Sequence, residues 1–198
     1  MAFDYAESRC WPSAYQLIAD GEIEQAIAVC ETEPCAMTIE CQKFLGWAYY
    51  KKGNLEAALN WFGKVIEQGD AEAAFGIGSV CFVRRDFPAA AEYFRQAADC
   101  GYGRACHWLG YIYRQGLGVP RSDEIAASWY KRGSDQGYLV AERALMHLTW
   151  MKGGVIARIR TFPRYIYIIF KVAVIALKNI NDPRIVDVPN AFTVKSSR

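Results

Sequence analysis

The residues of this chain whose side chains could do acid-base, nucleophilic or metal chemistry are few and scattered. Histidine occurs only at His107 and His147, and neither lies in an HExxH or HxH pattern or near a carboxylate at metal-ligand spacing. Cys106 precedes His107, but neighbouring residues of a helix point about 100° apart, so this thiol and this imidazole do not face each other. The sequence therefore predicts no catalytic residue and no metal site.

The seven cysteines are odd in number and show no CxxC spacing. Disulfide frameworks and zinc knuckles show even numbers or paired spacings, so neither is predicted here. Free cysteine is among the most frequently buried residue types. We therefore expect small buried thiols in a reducing compartment, at Cys10, Cys30, Cys35, Cys41, Cys81, Cys100 and Cys106.

The segment Gly116-Leu-Gly118-Val119-Pro120 superficially resembles a phosphate-binding loop. It lacks the Gly-Lys-Ser/Thr ending and the preceding strand that such a loop requires. We interpret it as a turn between two helices, and the sequence predicts no cofactor.

The elements that position these residues are helices in a repeated pattern. Gly46, Gly78 and Gly110 follow one another at steps of 32 residues, and each lies in a segment of helical apolar spacing. Two antiparallel helices about 8 to 10 Å apart need residues with little side chain where they cross, which glycine and alanine supply. Residues 12–31 form a weaker helical pair, broken at Asp20-Gly21, that we interpret as an N-terminal cap.

The third unit resembles a Sel1-like repeat, a relative of the tetratricopeptide repeat. The matching residues are Ala105, Leu109-Gly110, Tyr113, Gly116-Leu-Gly118-Val119, Ala126, Trp129-Tyr130, Gly137 and Ala141. The first two units lack the Gly-x-Gly-Val loop and are similar in length to tetratricopeptide repeats, so the array over roughly residues 10–150 resembles a hybrid of both families. The resemblance implies an all-α, right-handed α-solenoid of about three to four antiparallel helix pairs. It also implies a protein that scaffolds complexes.

A groove of this solenoid is the predicted partner site. Residues of the first helices that are not repeat signatures should point to the concave side, and aromatic and arginine side chains are frequent interface anchors. The predicted partner-binding residues are Phe44, Trp47, Phe75, Ser79, Phe82, Trp108, Tyr111 and Arg114.

Charge divides the chain near Gly153-Gly154. Residues 151–198 carry nine basic and two acidic side chains, a net charge of +7, whereas the first 150 residues carry a net charge of −5. We therefore predict a repeat array over 1–152, a basic apolar helix over 153–181 and an extended tail over 182–198.

The apolar run Tyr165 to Leu177 has thirteen residues and spans about 20 Å as a helix, less than the roughly 30 Å of a bilayer core. Pro163 suits the first turn of this helix. A basic stripe opposite a broad apolar face is typical of a helix in a membrane interface. The alternative is a helix that packs on the array or on another subunit, with its basic stripe paired with acidic residues. The residues predicted to contact a membrane or partner are Arg160, Arg164, Tyr165, Tyr167, Lys171 and Lys178.

These patterns favour a non-enzymatic adaptor. The array would bind a protein partner, and the helix would associate with an anionic membrane surface or a membrane complex. A soluble, self-associating assembly subunit is the first alternative, and an enzyme of unrecognised class is the second. Nucleic acid is disfavoured because aliphatic residues outnumber the cations of the basic segment. The N-terminus shows no signal-peptide pattern, so we expect a cytoplasmic protein, peripheral to the cytoplasmic face of a membrane if the helix contacts lipid.

Overall fold

The computed structural model describes residues 3–32, 35–152 and 155–178, without the side chains of 3–10, 152, 155–161, 165 and 176–178. The described part is helical throughout, with one short 3-10 helix at Cys35–Met37. The α-helices are α1 (Phe3–Asp20), α2 (Ile23–Glu31), α3 (Ile39–Lys51), α4 (Leu55–Ile66), α5 (Ala71–Val83), α6 (Phe87–Asp99), α7 (Gly103–Gln115), α8 (Asp123–Asp135), α9 (Leu139–Lys152) and α10 (Val155–Lys178). The predicted all-α fold is confirmed.

The helices belong to two compact units that divide between Arg84 and Arg85. In the first unit, which holds α1 to α5, each helix packs against the next along the chain, and α3 also contacts α1 and α5. In the second unit, which holds α6 to α10, the same order applies, and α7 also contacts α9. Packing between successive helices is the architecture expected of stacked repeats.

Side-chain caps fix where the helices of the array begin. Asp70 precedes α5, and its carboxylate accepts a hydrogen bond from the Ala73 N–H at 2.8 Å. Asn54 and Ser122 cap α4 and α8 in the same way. Capping of this kind satisfies a backbone donor that has no partner within the helix, and is worth about 1 kcal/mol per cap. The short polar segments between helices therefore stop one helix and start the next.

Two of the glycines of the repeat spacing, Gly46 and Gly110, lie where helices approach closely, and so does Gly76, which the spacing does not single out. A Cβ atom on Gly46 would lie 2.5 Å from the Phe62 ring, and one on Gly76 would lie 2.6 Å from the same ring. In the second unit, a Cβ on Gly110 would lie 2.5 Å from the Tyr130 ring. Aromatic rings of the second helices thus pack directly on glycine backbone of the first helices.

The Gly-x-Gly loop is a turn between α7 and α8, as predicted. Gly116 (φ 71°) and Gly118 (φ 65°) adopt the left-handed conformation that glycine tolerates best. A Cβ on Gly118 would lie 2.9 Å from the Cδ of Pro88, so the loop packs on the start of α6. The four extra residues of this repeat therefore reach back to the preceding helix of the same unit.

Two prolines that the sequence places in a first helical turn lie further inside their helices. Pro12 lies inside α1, which begins at Phe3, and Pro163 lies inside α10, which begins at Val155. Both prolines were interpreted as first-turn residues, but each follows a further helical segment of eight or nine residues. Gly153-Gly154 and the predicted tail 182–198 lie outside the described residues, so the division into 1–152, 153–181 and 182–198 stays a prediction.

The expectation that all cysteines are free thiols is wrong for Cys35, which is disulfide-bonded. The free thiols of the described part are Cys30, Cys41, Cys81, Cys100 and Cys106. Three of these, Cys30, Cys41 and Cys106, are buried as expected.

Candidate interaction surfaces

The predicted partner-binding residues of the first unit lie mostly in its core. Phe44, Trp47 and Phe75 are buried, and so is Ser79, whose hydroxyl donates to the Phe75 carbonyl at 2.8 Å. Phe82, near the end of α5, is half-buried. Buried side chains offer little area to a partner, so Phe82 is the member of the predicted set with accessible area in this unit.

Trp47 shows why these aromatics are buried. Its ring lies 4.8 Å from the Phe62 ring centroid in an edge-to-face arrangement, and 6.0 Å from that of Phe75. Its Nε1–H donates to the Glu72 carboxylate at 3.0 Å, which satisfies the one polar group of the indole. Trp47 therefore joins α3, α4 and α5.

Beside Trp47, a lysine also links α3 to α5. The Lys43 ammonium lies 3.2 Å from the Asp70 carboxylate and 3.4 Å from the Glu72 carboxylate. Burial lowers the pKa of Lys43, but the carboxylates of Glu72 and Asp70 outweigh burial, and the net pKa is raised. The lysine therefore stays charged and links α3 to the start of α5.

In the second unit, three predicted residues share one side of α7. Trp108, Tyr111 and Arg114 follow at intervals of three residues and are all half-buried. The Trp108 ring stacks on that of Phe94, with centroids 6.2 Å apart, and meets the Tyr111 ring edge-on at 5.7 Å. We call Trp108, Tyr111 and Arg114 the α7 surface.

The far end of the α7 surface contacts a residue of α9 that the sequence analysis did not predict there. The Nη2 atom of Arg114 lies 3.3 Å from Nδ1 of His147 on α9. Arg114 and His147 lie two helices apart along the chain, so no local sequence pattern indicates this contact. The α7 surface thus combines two aromatic rings with a guanidinium, which lies beside the imidazole of His147.

The C-terminal helix packs on the array through one of its sides. Ile168 of α10 is only 2% exposed, and the Phe162 ring lies 5.8 Å from that of Trp150 on α9. An Arg164 Nη2 atom lies 3.5 Å from the Glu142 carboxylate of α9. The contact between Arg164 and Glu142 is the kind of pairing that the alternative of a helix packed on the array anticipates.

The other side of α10 carries large apolar residues in solvent. Phe170 is 67% exposed, Tyr167 62% and Ile166 48%, and Ile169 is exposed as well. At about 100° per residue, Ile166, Ile169 and Phe170 share one sector, and Ile168 lies roughly opposite. We call the three residues of this sector the α10 apolar face.

The remaining predicted residues of α10 differ in what the structure describes. Arg164 and Tyr167 are exposed and Lys171 is half-buried. The side chains of Arg160, Tyr165 and Lys178 lie outside the described residues, so their contacts stay predictions. None of the helices in the described ranges combines the length and apolar character needed to cross a bilayer.

No site for metal chemistry forms among the described side chains, where no three His, Cys, Asp or Glu residues group together. The His107 ring lies 5.5 Å from that of Tyr130 and 5.9 Å from that of Tyr138. These are the packing contacts expected of a structural histidine.

Within each unit, successive helices pack on one another, which is the arrangement of a helical repeat protein. The model of the Sel1 repeat matches residues 39–70, 71–102 and 103–138, and the chain belongs to this family. All three matched segments are Sel1 repeats, so the first two units are family members in spite of the missing Gly-x-Gly-Val loop. Sel1 repeat proteins are in general non-enzymatic scaffolds for protein interaction.

Solved structures with this fold include a Sel1 repeat protein from Oxalobacter formigenes. It is 25% identical, with a TM-score of 0.60 over 74% of this chain and 61% of that chain. The protective antigen c5321 of uropathogenic Escherichia coli, which displays an SLR fold, is 24% identical, with a TM-score of 0.64 over 92% of this chain and 44% of that chain. MamA is 21% identical, with a TM-score of 0.59 over 80% and 95%.

A curated relative is chitin synthase regulatory factor 3 of Schizosaccharomyces pombe. The two are 29% identical over 91 residues, which is 43% of this chain. This chain spans about a tenth (10%) of the length of that relative.

Proposed function

We propose that this chain is a protein-interaction scaffold that binds a protein partner through its α7 surface and associates with an anionic membrane surface, or with a membrane complex, through α10. The observation that carries the proposal is the two-sided arrangement of α10. Phe162 and Arg164 contact Trp150 and Glu142 of α9, Ile168 is buried, and the α10 apolar face lies in solvent on the side opposite Ile168. Exposed contiguous apolar area of this kind marks interaction sites.

Charge favours an anionic lipid surface as the occupant of the α10 apolar face. The helix has five basic residues and no acidic residue. Basic residues near an anionic leaflet contribute about 1 kcal/mol each. Aromatic and aliphatic side chains that penetrate the interface add the apolar contribution. Tyr167 lies beside the apolar face and suits the boundary between headgroups and acyl chains.

The α7 surface favours a protein partner. It combines a tryptophan, a tyrosine and an arginine, the residue types most enriched among energetic anchors of interfaces. The relative from fission yeast is named as a regulatory factor, which fits a role in binding rather than catalysis. Phe82 on α5 stays a predicted contact of the first unit.

The compartment is a separate matter. Disulfides are rare in the cytosol, so the disulfide at Cys35 counts against the predicted cytoplasmic location. We therefore propose a membrane surface without assigning the compartment it faces.

The full-length protein is expected to sediment with vesicles of phosphatidylcholine and phosphatidylserine, and to bind pure phosphatidylcholine more weakly. Changing Ile166→Glu and Phe170→Glu together should lower binding by about tenfold or more, because each change removes a large apolar side chain from the lipid contact. Sedimentation at several lipid concentrations measures the apparent partition coefficient.

The matched control is the pair Val83→Glu and Ile125→Glu, which places the same two charges on exposed apolar residues of α5 and α8. This variant should bind as the unchanged protein does. Equal binding of the double variant and the control would contradict the membrane proposal. If the unchanged protein does not bind vesicles but its mass in solution drops in the double variant, the result supports a self-associating assembly subunit in place of a membrane-associated one.

For the array, we expect the pair Trp108→Ala and Arg114→Ala to reduce capture of the partner from solubilised native membranes by about tenfold or more. Truncating an interface anchor costs about 2 kcal/mol or more. Quantitative mass spectrometry of proteins captured by the immobilised full-length chain measures the change.

The control for this experiment is the pair Trp129→Ala and Lys131→Ala on α8. Trp129 is half-buried like Trp108, and Lys131 pairs with Asp135 of its own helix. Thermal unfolding of all variants separates lost binding from lost folding. A partner that both double variants capture equally well does not bind to the α7 surface.

A further inference from the structure

Two cysteine thiols meet where the N-terminal helices contact the first repeat. Cys30 lies near the end of α2 and Cys41 in the first turn of α3, and both side chains are 0% exposed. The Cys30 thiol donates to the Cys41 sulfur, with the two Sγ atoms 2.9 Å apart. A disulfide requires about 2.05 Å, so a movement of less than about 1 Å would close the bond.

The contact between Cys30 and Cys41 connects the segment before the repeats to the first Sel1 repeat. The first Sel1 repeat begins at residue 39, so Cys30 precedes the repeats and Cys41 lies inside the first one. The segment between them contains the 3-10 helix and Cys35, which is itself disulfide-bonded. A second covalent link here would join α2 to α3 directly.

The surroundings of the two sulfurs give the two thiols different pKa values. The hydrogen bond from Cys30 lowers the pKa of Cys41 to about 7, with a smaller contribution from Thr38, although burial acts in the opposite direction. The same hydrogen bond and burial raise the pKa of Cys30. Since the thiolate is the nucleophile in exchange reactions, Cys41 is the attacking sulfur and Cys30 the resolving one.

We propose that Cys30 and Cys41 form a redox-responsive pair that closes as a disulfide by exchange with a small disulfide oxidant, and that this bond fastens the N-terminal helices to the first Sel1 repeat. The Cys41 thiolate attacks one sulfur of the oxidant, forms a mixed disulfide and releases one thiolate. Cys30 then gives up its proton and attacks the Cys41 sulfur, which releases the second thiolate. Two protein thiols are oxidised, and one oxidant disulfide is reduced to two thiols.

Burial determines when this exchange takes place. Both sulfurs are shielded from solvent, so the oxidant reaches them before α2 closes on α3 or during local opening of the N-terminal helices. The closed bond should then oppose that same opening, because it links two residues across a segment of ten intervening residues.

Peptide mapping after treatment with oxidised glutathione tests the proposal on the full-length chain. The protein is incubated with oxidised glutathione, unfolded in the presence of an alkylating agent and cleaved after glutamate. Cleavage after Glu31 and Glu40 separates Cys30, Cys35 and Cys41 into different peptides. The expected product is a peptide pair linked through Cys30 and Cys41. Alkylation of both cysteines, while Cys35 stays disulfide-bonded, would overturn the proposal.

The matched control is Cys106→Ser, which removes a buried thiol of the second unit whose pKa burial raises to about 11. The linked peptide should form in this variant as in the unchanged protein. A linked peptide between Cys30 and Cys35, or between Cys35 and Cys41, in place of the expected pair would also overturn the assignment.

Thermal unfolding gives a second measurement that does not depend on mapping. Reduction of the oxidised protein breaks the disulfide of Cys35 as well. The comparison is therefore with Cys30→Ser/Cys41→Ser, in which the disulfide of Cys35 is the bond that reduction breaks. We expect the unchanged protein to lose roughly 5 to 10 °C more in Tm on reduction than the double variant. Equal losses would show that Cys30 and Cys41 do not form the bond.

Discussion

The Phe62→Ala variant is expected to lose about 3 to 5 kcal/mol in free energy of unfolding of the first unit. The Phe62 ring is fully buried, and Gly46 and Gly76 lie directly against it. Glycine has no side chain that could turn into the space left by the ring, so the cavity stays large. Trp47, which packs edge-on against the ring at 4.8 Å, loses a contact at the same time.

Urea unfolding followed by circular dichroism measures this loss. The control is Phe170→Ala on α10, the same substitution at a residue that is 67% exposed, with an expected change within about 0.5 kcal/mol. A loss below about 1 kcal/mol for Phe62→Ala would mean that the helices close over the space, contrary to the tight glycine packing.

The Gly110→Ala variant should lose about 2 kcal/mol in the second unit, although alanine is the better helix former. The added Cβ would lie 2.5 Å from the Tyr130 ring, and Tyr130 is buried, so α7 and α8 must move apart. Overpacking of this kind costs about 1 to 3 kcal/mol, more than the propensity gained.

The same substitution at Gly63 should have the opposite sign. Gly63 lies within α4, and a Cβ there would have no atom of another element within 4 Å. Gly63→Ala should therefore raise the free energy of unfolding by about 0.5 to 1 kcal/mol. Thermal and urea unfolding of Gly63→Ala and Gly110→Ala measure both changes in the free energy of unfolding. Stabilisation by Gly110→Ala would refute the close packing of α7 and α8.

The fold was predictable because packing imposes a period on the sequence. Gly46 and Gly110 had to be small for two helices to cross, and the structure confirms both as contacts of a buried ring. Pro12 and Pro163 were mispredicted as first-turn residues because proline is favoured in a first turn, and a proline inside a helix leaves the same local signal.

The candidate surfaces were less predictable than the fold. Trp47 and Trp108 occupy first helices and belong to the same residue type, yet Trp47 is buried and Trp108 is half-buried. Which of the two keeps accessible area depends on neighbours from other helices, and a single sequence does not specify them. The contact between Cys30 and Cys41 was unpredictable for the same reason. The two residues are eleven positions apart, and no spacing motif marks the pair.

The order in which the helices pack also bears on how the chain folds. Within each unit most packed pairs of helices are adjacent along the chain, which gives a low relative contact order. Little loop entropy must be lost before such contacts form, so each unit can assemble from local helical hairpins as the chain emerges during synthesis. A kinetic barrier set by topology should therefore be small, and slow phases should come from thiol oxidation or proline isomerisation rather than from the search for the fold.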